Sequence, residues 1–237
     1  MDCGAESCHK MDGNNPPFCL TTNLDPELLE EVMLLYTEDD WNSKVSKAAA
    51  GVEADYYCKM TRIEEIMEFA RRIDAKRIGI ATCLGLLREA RTAAAIFRKA
   101  GFEVYGVACK AGAQPKVSIG IPKECEVVGA NMCNPILQAK LLNKAETDLN
   151  VVIGLCVGHD SLFYKYAEAL TTTLVTKDRV TGHNPAAVLY QANSYYSRLL
   201  KDRAAGRHVR RHVCLYFCLT QAGKKSIIDL SREEEFL

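Results

Sequence analysis

The chain has 237 residues, 48% of them hydrophobic, enough for one sizeable globular core. Lys+Arg and Asp+Glu each number 30, so the net charge is zero and offers no field to nucleic acid or an anionic membrane. No apolar run approaches the roughly 20 residues that span a bilayer. The opening MDCGAESCHK lacks the basic and apolar segments of a signal peptide, so a cytoplasmic location is expected.

Eleven cysteines are many for a chain expected in a reducing compartment, where structural disulfides are rare. Metal ligation or thiol chemistry is the expected use.

Residues 1–23 carry Cys3, Cys8 and Cys19 around DGNNPP with little periodicity, and read as an irregular arm that needs a staple. LDPELLEEVMLLY then predicts a helix, with Asp25 as N-cap, Pro26 at the first helical position, and Leu28, Val32, Leu35 and Tyr36 on one face. Helical character continues, with a break, to Cys58. Thr61-Arg62-Ile63-Glu64 has the pattern of a capping box and opens a helix with an Ile63, Ile66, Met67, Ala70 and Ile73 stripe.

From there the period changes. RIGIATC, FEVYGVAC, DLNVVIGLC and TTTLVT read as strands; LGLLREARTAAAIFRKAG, NPILQAKLLNKAET and SLFYKYAEA read as the helices between them. NPAAVLYQANSYYSRLL closes the pattern as a last helix. Strands alternating with helices predict an α/β fold: a mainly parallel sheet of four or more strands, helices on both faces, and a cysteine-rich arm in front. Three regions follow: the arm and its helices at 1–58, the α/β core at 59–201, and an extension at 202–237. The extension is basic, with His208 and His212 among arginines, then apolar, and ends acidic at SREEEFL.

Cys83, Cys109 and Cys156 each fall where a predicted strand ends. In open α/β sheets, ligands bind outside the carboxyl ends of the strands. Cys133 precedes Asn134-Pro135, a helix start whose free N–H groups favour thiolate. His183 stands in the same relation to Asn184-Pro185, with Lys177, Asp178 and Arg179 just before it. One strand-end cysteine is readily explained as a small core residue. Four on a shared edge are not, and GLCVGHD adds His159 and Asp160 to them.

Cys125, Cys214 and Cys218 lack such placement. The stretch AGAQPKVSIGIPKECEVVGANM is long for a structureless connection and reads as a binding loop, in which KVSIGI can extend into a short hairpin.

The four edge cysteines lie 23 to 26 positions apart, unlike the close pairs of structural zinc sites. That spacing favours an iron–sulfur cluster in a preformed pocket, with zinc as the alternative. Cys3, Cys8, Cys19 and Cys58 form a second candidate set that would staple the arm. No P-loop is present, and the Gly-x-Gly at Gly79 lacks the spacing of a dinucleotide fingerprint.

The pieces GIATCLGLLREA, VACKAG, ANMCNPILQAKLLN, GLCVGHDSLFYKY and KDRVTGHNPAAVLY together resemble a metal-binding family of bacteria and archaea, domain of unknown function 1847. DCGAESC resembles that family's cysteine-rich opening, which tends to carry one further cysteine where this chain has Met1. The resemblance implies metal binding, and Cys83, Cys109, Cys133, Cys156, His159, Asp160 and His183 lie in the matching motifs. It brings no established reaction.

The expected function is a cysteine-ligated metalloprotein with a redox or sulfur-handling activity. His159, Asp160 and His183 would handle protons, while Lys177, Arg179 and Asn184 would take a small anion or sulfur species. A non-catalytic zinc or iron protein and a metal-free thiol enzyme are the competing expectations.

Overall fold

Alternate residues along the central strands bury on opposite sides, and this period of two lays out the layers. The computed structural model describes residues 4, 7–10 and 13–201. Cys3, Cys214, Cys218, His208, His212 and the whole region 202–237 lie outside the described residues.

Strands β1 (Arg77–Thr82), β2 (Glu103–Ala108), β3 (Leu149–Ile153) and β4 (Leu170–Val175) form one parallel sheet in the order β2-β1-β3-β4. Ile78, Ile80, Leu149, Val151 and Ile153 pack on one side with Ile66, Ala70, Ala90, Ala93 and Phe97. Ala81 and Val152 pack on the other with Ala139, Leu142 and Phe163. So α3 (Arg62–Arg72) and α4 (Leu87–Lys99) cover one face, while α5 (Pro135–Lys144) and α6 (His159–Tyr166) cover the second. Phe97 and Phe163 are fully buried, one on each side, and burial of each is worth about 1.5–3 kcal/mol.

Two helices precede these layers. Asp25 caps α1 (Pro26–Thr37) by accepting from the Glu27 N–H at 3.0 Å, and Asp39 caps α2 (Asp40–Tyr56) through the Asn42 N–H at 2.8 Å. The break expected after the first helix is thus a two-residue link. Ala48 and Val52 of α2 are buried, whereas α1 buries none of its residues. At the start of α3, the Glu64 carboxylate accepts from the Thr61 N–H at 2.8 Å and from its hydroxyl.

Three polar features set the register of the sheet. Gln138 of α5 is fully buried, and its Nε2 donates to the Thr82 carbonyl at 3.1 Å and the Val107 carbonyl at 2.7 Å. It therefore pins the carboxyl ends of β1 and β2 together. Asn150 of β3, also fully buried, accepts from the Thr147 hydroxyl at 2.9 Å and lies in the space beside Gly79 of β1. Arginines occupy carbonyls of both edge strands: Arg98 donates to Val104 of β2 at 3.2 Å, and Arg62 to Thr173 of β4 at 2.6 Å.

Two expectations are corrected. KVSIGI does not extend: Lys116–Ile119 is a 3-10 turn, stopped by Gly120 in the left-handed region (φ 77°), and Lys123–Val128 is another. Pro115 and Pro122 stand before these turns and lack the N–H a ladder needs. A single antiparallel bridge, Pro115 to Asn131, is all the pairing described in this loop. The last predicted helix is also short, with only Ala186–Tyr190 in α7 (Ala186–Tyr190) and a 3-10 turn at Ser197–Leu199. Its apolar side chains find no core, with Leu189 and Tyr190 exposed, and Ser194 bonds the Gln191 carbonyl instead of sustaining the helix.

Residues 113–132 and, among the described residues, 190–201 belong to a compact unit distinct from the one that holds the sheet. In it the buried Lys116 donates through Nζ to the Cys125 carbonyl at 2.6 Å. Among the described residues no helix is long and apolar enough to cross a membrane.

A Cβ at position 79 would overlap Asn150 Oδ1 and press on Leu142 Cδ1 at 2.9 Å. Gly79→Ala is expected to cost about 1–3 kcal/mol in chemical denaturation. The loss should shrink in an Asn150→Ala background, which clears the space; equal losses in both backgrounds would refute this packing account.

Candidate functional site

The sheet order places a topological switch point between β1 and β3, since the chain leaves β1 toward one edge and β3 toward the other. Cys83 follows β1 directly, and its N–H donates to the Ile153 carbonyl at 3.3 Å. Cys109 follows β2, its N–H on the Thr82 carbonyl at 2.8 Å. The Asn134 N–H then donates to the Cys109 carbonyl at 2.7 Å, which ties the start of α5 to the end of β2. Asn134 caps α5 through the Leu137 N–H at 3.0 Å, so Cys133 arrives beside Cys109 at a helix N-terminus, as its sequence position predicts.

Three thiols from three elements thus stand in one hydrogen-bonded chain, Cys83 to Cys109 to Cys133, which His159 of α6 extends. Cys109 is buried and its thiol is pushed well up, because a thiolate on either side and the loss of water both hold its proton. Cys83 is brought down to about 5, first by the Cys109 hydrogen bond, then by the Gly85 N–H and the charge of Lys177. Cys133 is brought down to about 4, first by Cys109, then by His159, whose own value rises through the same contact. Lys110 adds positive field at Cys133. The Leu84 N–H donates to Cys109 Sγ at 3.3 Å. The single Cys109 proton can donate to one neighbour at a time, so the direction is that the outer two thiols lean toward thiolate and the middle one keeps its proton.

Lys177 reaches Cys83 Sγ at 3.5 Å. Arg179 donates to Cys156 Sγ at 2.9 Å, so Cys156 is tied to a guanidinium and not to the chain of three. The loop that carries both cations is folded on His183. Its N–H donates to the Asp178 carbonyl at 2.7 Å, and its Nδ1 accepts from the Asp178 N–H at 3.1 Å, with His183 itself at φ 70°. Asp178 closes the turn by accepting from the Val180 N–H at 2.8 Å and the Thr181 N–H at 3.1 Å.

His183 therefore positions Lys177 and Arg179. Asp160 is likewise engaged in its own turn, accepting from the N–H groups of Gly158 at 2.9 Å and Ser161 at 2.8 Å. Asn184 is exposed ahead of α7, whose five residues align few peptide dipoles.

Cys8 and Cys58 are exposed, and Cys19 is half-buried with its thiol held down by the Thr21 hydroxyl and N–H. Among the described residues, no three His, Cys, Asp or Glu groups are already drawn around one point as a metal ion requires, in the arm or at the sheet edge.

Gln138 and Gly154 escaped the motif reading. Gln138 shares the buried side of α5 with Pro135, Ala139 and Leu142, and a polar residue on that stripe was the available signal. At Gly154 (φ 66°) a Cβ would overlap the side chain of Leu86, the buried residue of the 3-10 turn that follows Cys83.

Alkylation by iodoacetamide, mapped by mass spectrometry from about pH 3 to 9, tests the charge pattern. Cys83 and Cys133 should stay on a reactive plateau down to weak acid, then lose reactivity as pH falls through about 5 and about 4 respectively. Cys109 should stay unlabelled throughout. His159→Ala should move the Cys133 midpoint up by roughly one pH unit; an unmoved midpoint would show that the imidazole does not act on it.

The comparisons with known proteins agree with the motifs. The family described as "Protein of unknown function (DUF1847)" matches residues 19–174. Uncharacterized protein MJ0455 of Methanocaldococcus jannaschii is 42% identical over 190 residues, 80% of this chain and 97% of that protein. Among solved structures, Dph2 from Pyrococcus horikoshii with a 4Fe-4S cluster aligns at 18% identity and a TM-score of 0.33, over 60% of this chain and 33% of that one. The chain spans about a third of that structure, a likeness too slight to bear on function. The family match and the archaeal relative suffice: the chain belongs to the DUF1847 family.

Proposed function

We propose that this chain is a cysteine-ligated metalloprotein whose centre sits at the switch point of the sheet. Cys83, Cys109 and Cys133 are the thiolate ligands, and His159 is a fourth donor. The observation that supports this reading is the delivery of three thiols, by the ends of β1 and β2 and the start of α5, into one hydrogen-bonded chain.

The donor set fits a soft metal. Ligation requires deprotonated sulfur, and the thiols of Cys83 and Cys133 are both brought down from their ordinary value. The proton held on Cys109 between them is the positive charge that a metal would replace. Lys177, Lys110 and the N–H groups of Leu84 and Gly85 surround the sulfurs and suit the net negative charge of a thiolate-rich centre. This favours an iron–sulfur cluster, with zinc as the alternative.

Bound there, a cluster would supply electron transfer and a soft iron for sulfur ligands. The chain's own residues supply the rest. His159 holds a proton beside Cys133, and Lys177 and Arg179 present cations to a small anion or sulfur species. A redox or sulfur-handling activity is the function proposed. One observation favours a second reading: the Cys133–His159 pair alone is the nucleophile and acid–base partner of a metal-free thiol enzyme.

Metal and acid-labile sulfide analysis of protein purified without oxygen separates these readings. Iron with matching sulfide and a broad absorption band near ~400 nm is expected for a thiolate-ligated cluster. Cys83→Ser, Cys109→Ser and Cys133→Ser should each lower metal content about tenfold or more; full occupancy in all three would exclude this site. Zinc without sulfide would make the protein a metal binder or sensor. Folded protein with neither metal would leave the thiol enzyme.

A further inference from the structure

A slot of about 350 Å³ lies between α4 and the edge strand β2, on the side of the sheet opposite the thiols. Small residues create it. Val104, Gly106 and Ala108 alternate toward α4, and the helix answers with Ala90 and Ala94. Side chains this short do not meet. A Cβ at Gly106 would find nothing within 4 Å, so the space stands directly over that glycine. Apolar walls and this volume fall in the range of small-molecule pockets, roughly 300–1,000 Å³.

The charges on the slot are of one sign. Arg91 and Arg98 line it, and no Asp or Glu does. At 100° per residue, Leu87, Arg91, Ala94 and Arg98 share one side of α4, while Glu89 lies about 160° round from Arg91. Glu103 of β2 belongs to the other face of the sheet, where the Tyr105 hydroxyl donates to it at 3.3 Å. Three other cavities all carry acid: Glu65 beside Arg62, Asp40 beside Lys44, and Asp148 beside Glu168.

The donors at the mouth are uncommitted. Arg98 is held across the edge by its bond to the Val104 carbonyl at 3.2 Å, which uses one of its nitrogens. The Arg91 guanidinium has no partner among the described residues. The backbone adds a third donor. The N–H groups of Glu103 and Cys109 donate to β1, at the carbonyls of Lys76 and Thr82, so those of the alternate residues face outward. The Gly106 N–H is among them, on an edge that no strand covers.

We infer that this slot binds a small organic carboxylate, with its apolar body between α4 and β2 and its carboxylate on Arg91. Arg98 and the Gly106 N–H are the further donors. A guanidinium matches a carboxylate with two parallel N–H bonds. A cation would be repelled, and a neutral apolar ligand would leave Arg91 unanswered. The site needs no metal and stands independently of the thiol centre.

The test titrates the full chain with benzoate, read by calorimetry and by amide NMR. The Kd should be about 1 mM or tighter, and the Gly106 amide should be among the signals that shift. Benzamide, of similar shape without the charge, should bind about tenfold or more weakly. Arg91→Gln should weaken benzoate about tenfold and leave the melting temperature unchanged, because that guanidinium makes no bond to lose. Gly106→Val should abolish binding and keep the fold, since its side chain enters open space and β-branched residues suit a strand. A full chain that binds no benzoate up to about 10 mM, with the slot too shallow or closed by residues 202–237, would overturn the assignment. So would benzamide or inorganic phosphate binding as tightly as benzoate, or benzoate binding that neither variant changes.

Discussion

A parallel sheet sends every strand's carboxyl end to the same edge, and that constraint decides where the chemistry of this chain collects. It does not by itself bring two thiols into contact, since neighbouring strands are about 4.8 Å apart and side chains diverge. Gln138 supplies the closer adjustment. Its buried amide bonds one carbonyl from each of two neighbouring strands, so the loops that leave β1 and β2 start from a fixed separation. The Cys109 carbonyl continues the arrangement by accepting from Asn134, and α5 begins with its cysteine already beside the others. Cys83 and Cys109 are held by their own N–H groups and Cys133 through that of its neighbour Asn134, with the Gln138 side chain fixing the strand ends between them.

Burying ionised sulfur is costly unless charge and hydrogen bonds answer it. Here the answers come from different elements: His159 from α6, Lys177 from the loop after β4, and N–H groups from the turn after β1. The loop after β4 has no regular structure to hold it. His183 and Asp178 do so instead, by folding the segment on itself so that the two cations project from a closed turn. Histidine and aspartate thus serve the site through the backbone they shape. The same holds for Asp160, whose carboxylate stabilises the turn that starts α6 and so sets the position of His159.

Much of this was legible from residue order. Cys83 and Cys109 sit at strand ends because β-branched and aliphatic runs stop there, and Asn134-Pro135 announces a helix start by side-chain chemistry alone. Local signals of that kind survive folding. What could not be read was the partner of each polar group. Arg179 and Cys156 are 23 positions apart, and Lys177 and Cys83 are 94 apart, so their pairing depends on strand order. The failures have a matching cause. The predicted helix after Asn184 had the right composition but no core to bury Leu189 and Tyr190, and periodicity without a surface to pack on does not hold a helix. KVSIGI had strand-like residues but no neighbouring strand, with a proline before each turn.

Two helix arginines, Arg98 of α4 and Arg62 of α3, reach the outer strands and carry a consequence for the sheet edges. An open sheet edge is a template on which further strands add, and it is the usual route from a folded α/β unit to fibrous aggregates. On β2 the Val104 carbonyl is occupied by Arg98, and on β4 the Thr173 carbonyl is occupied by Arg62. An incoming strand would have to strip a guanidinium from its acceptor and leave that charge without its bond. One backbone acceptor on each outer strand is thus already engaged, which works against strand addition at that point.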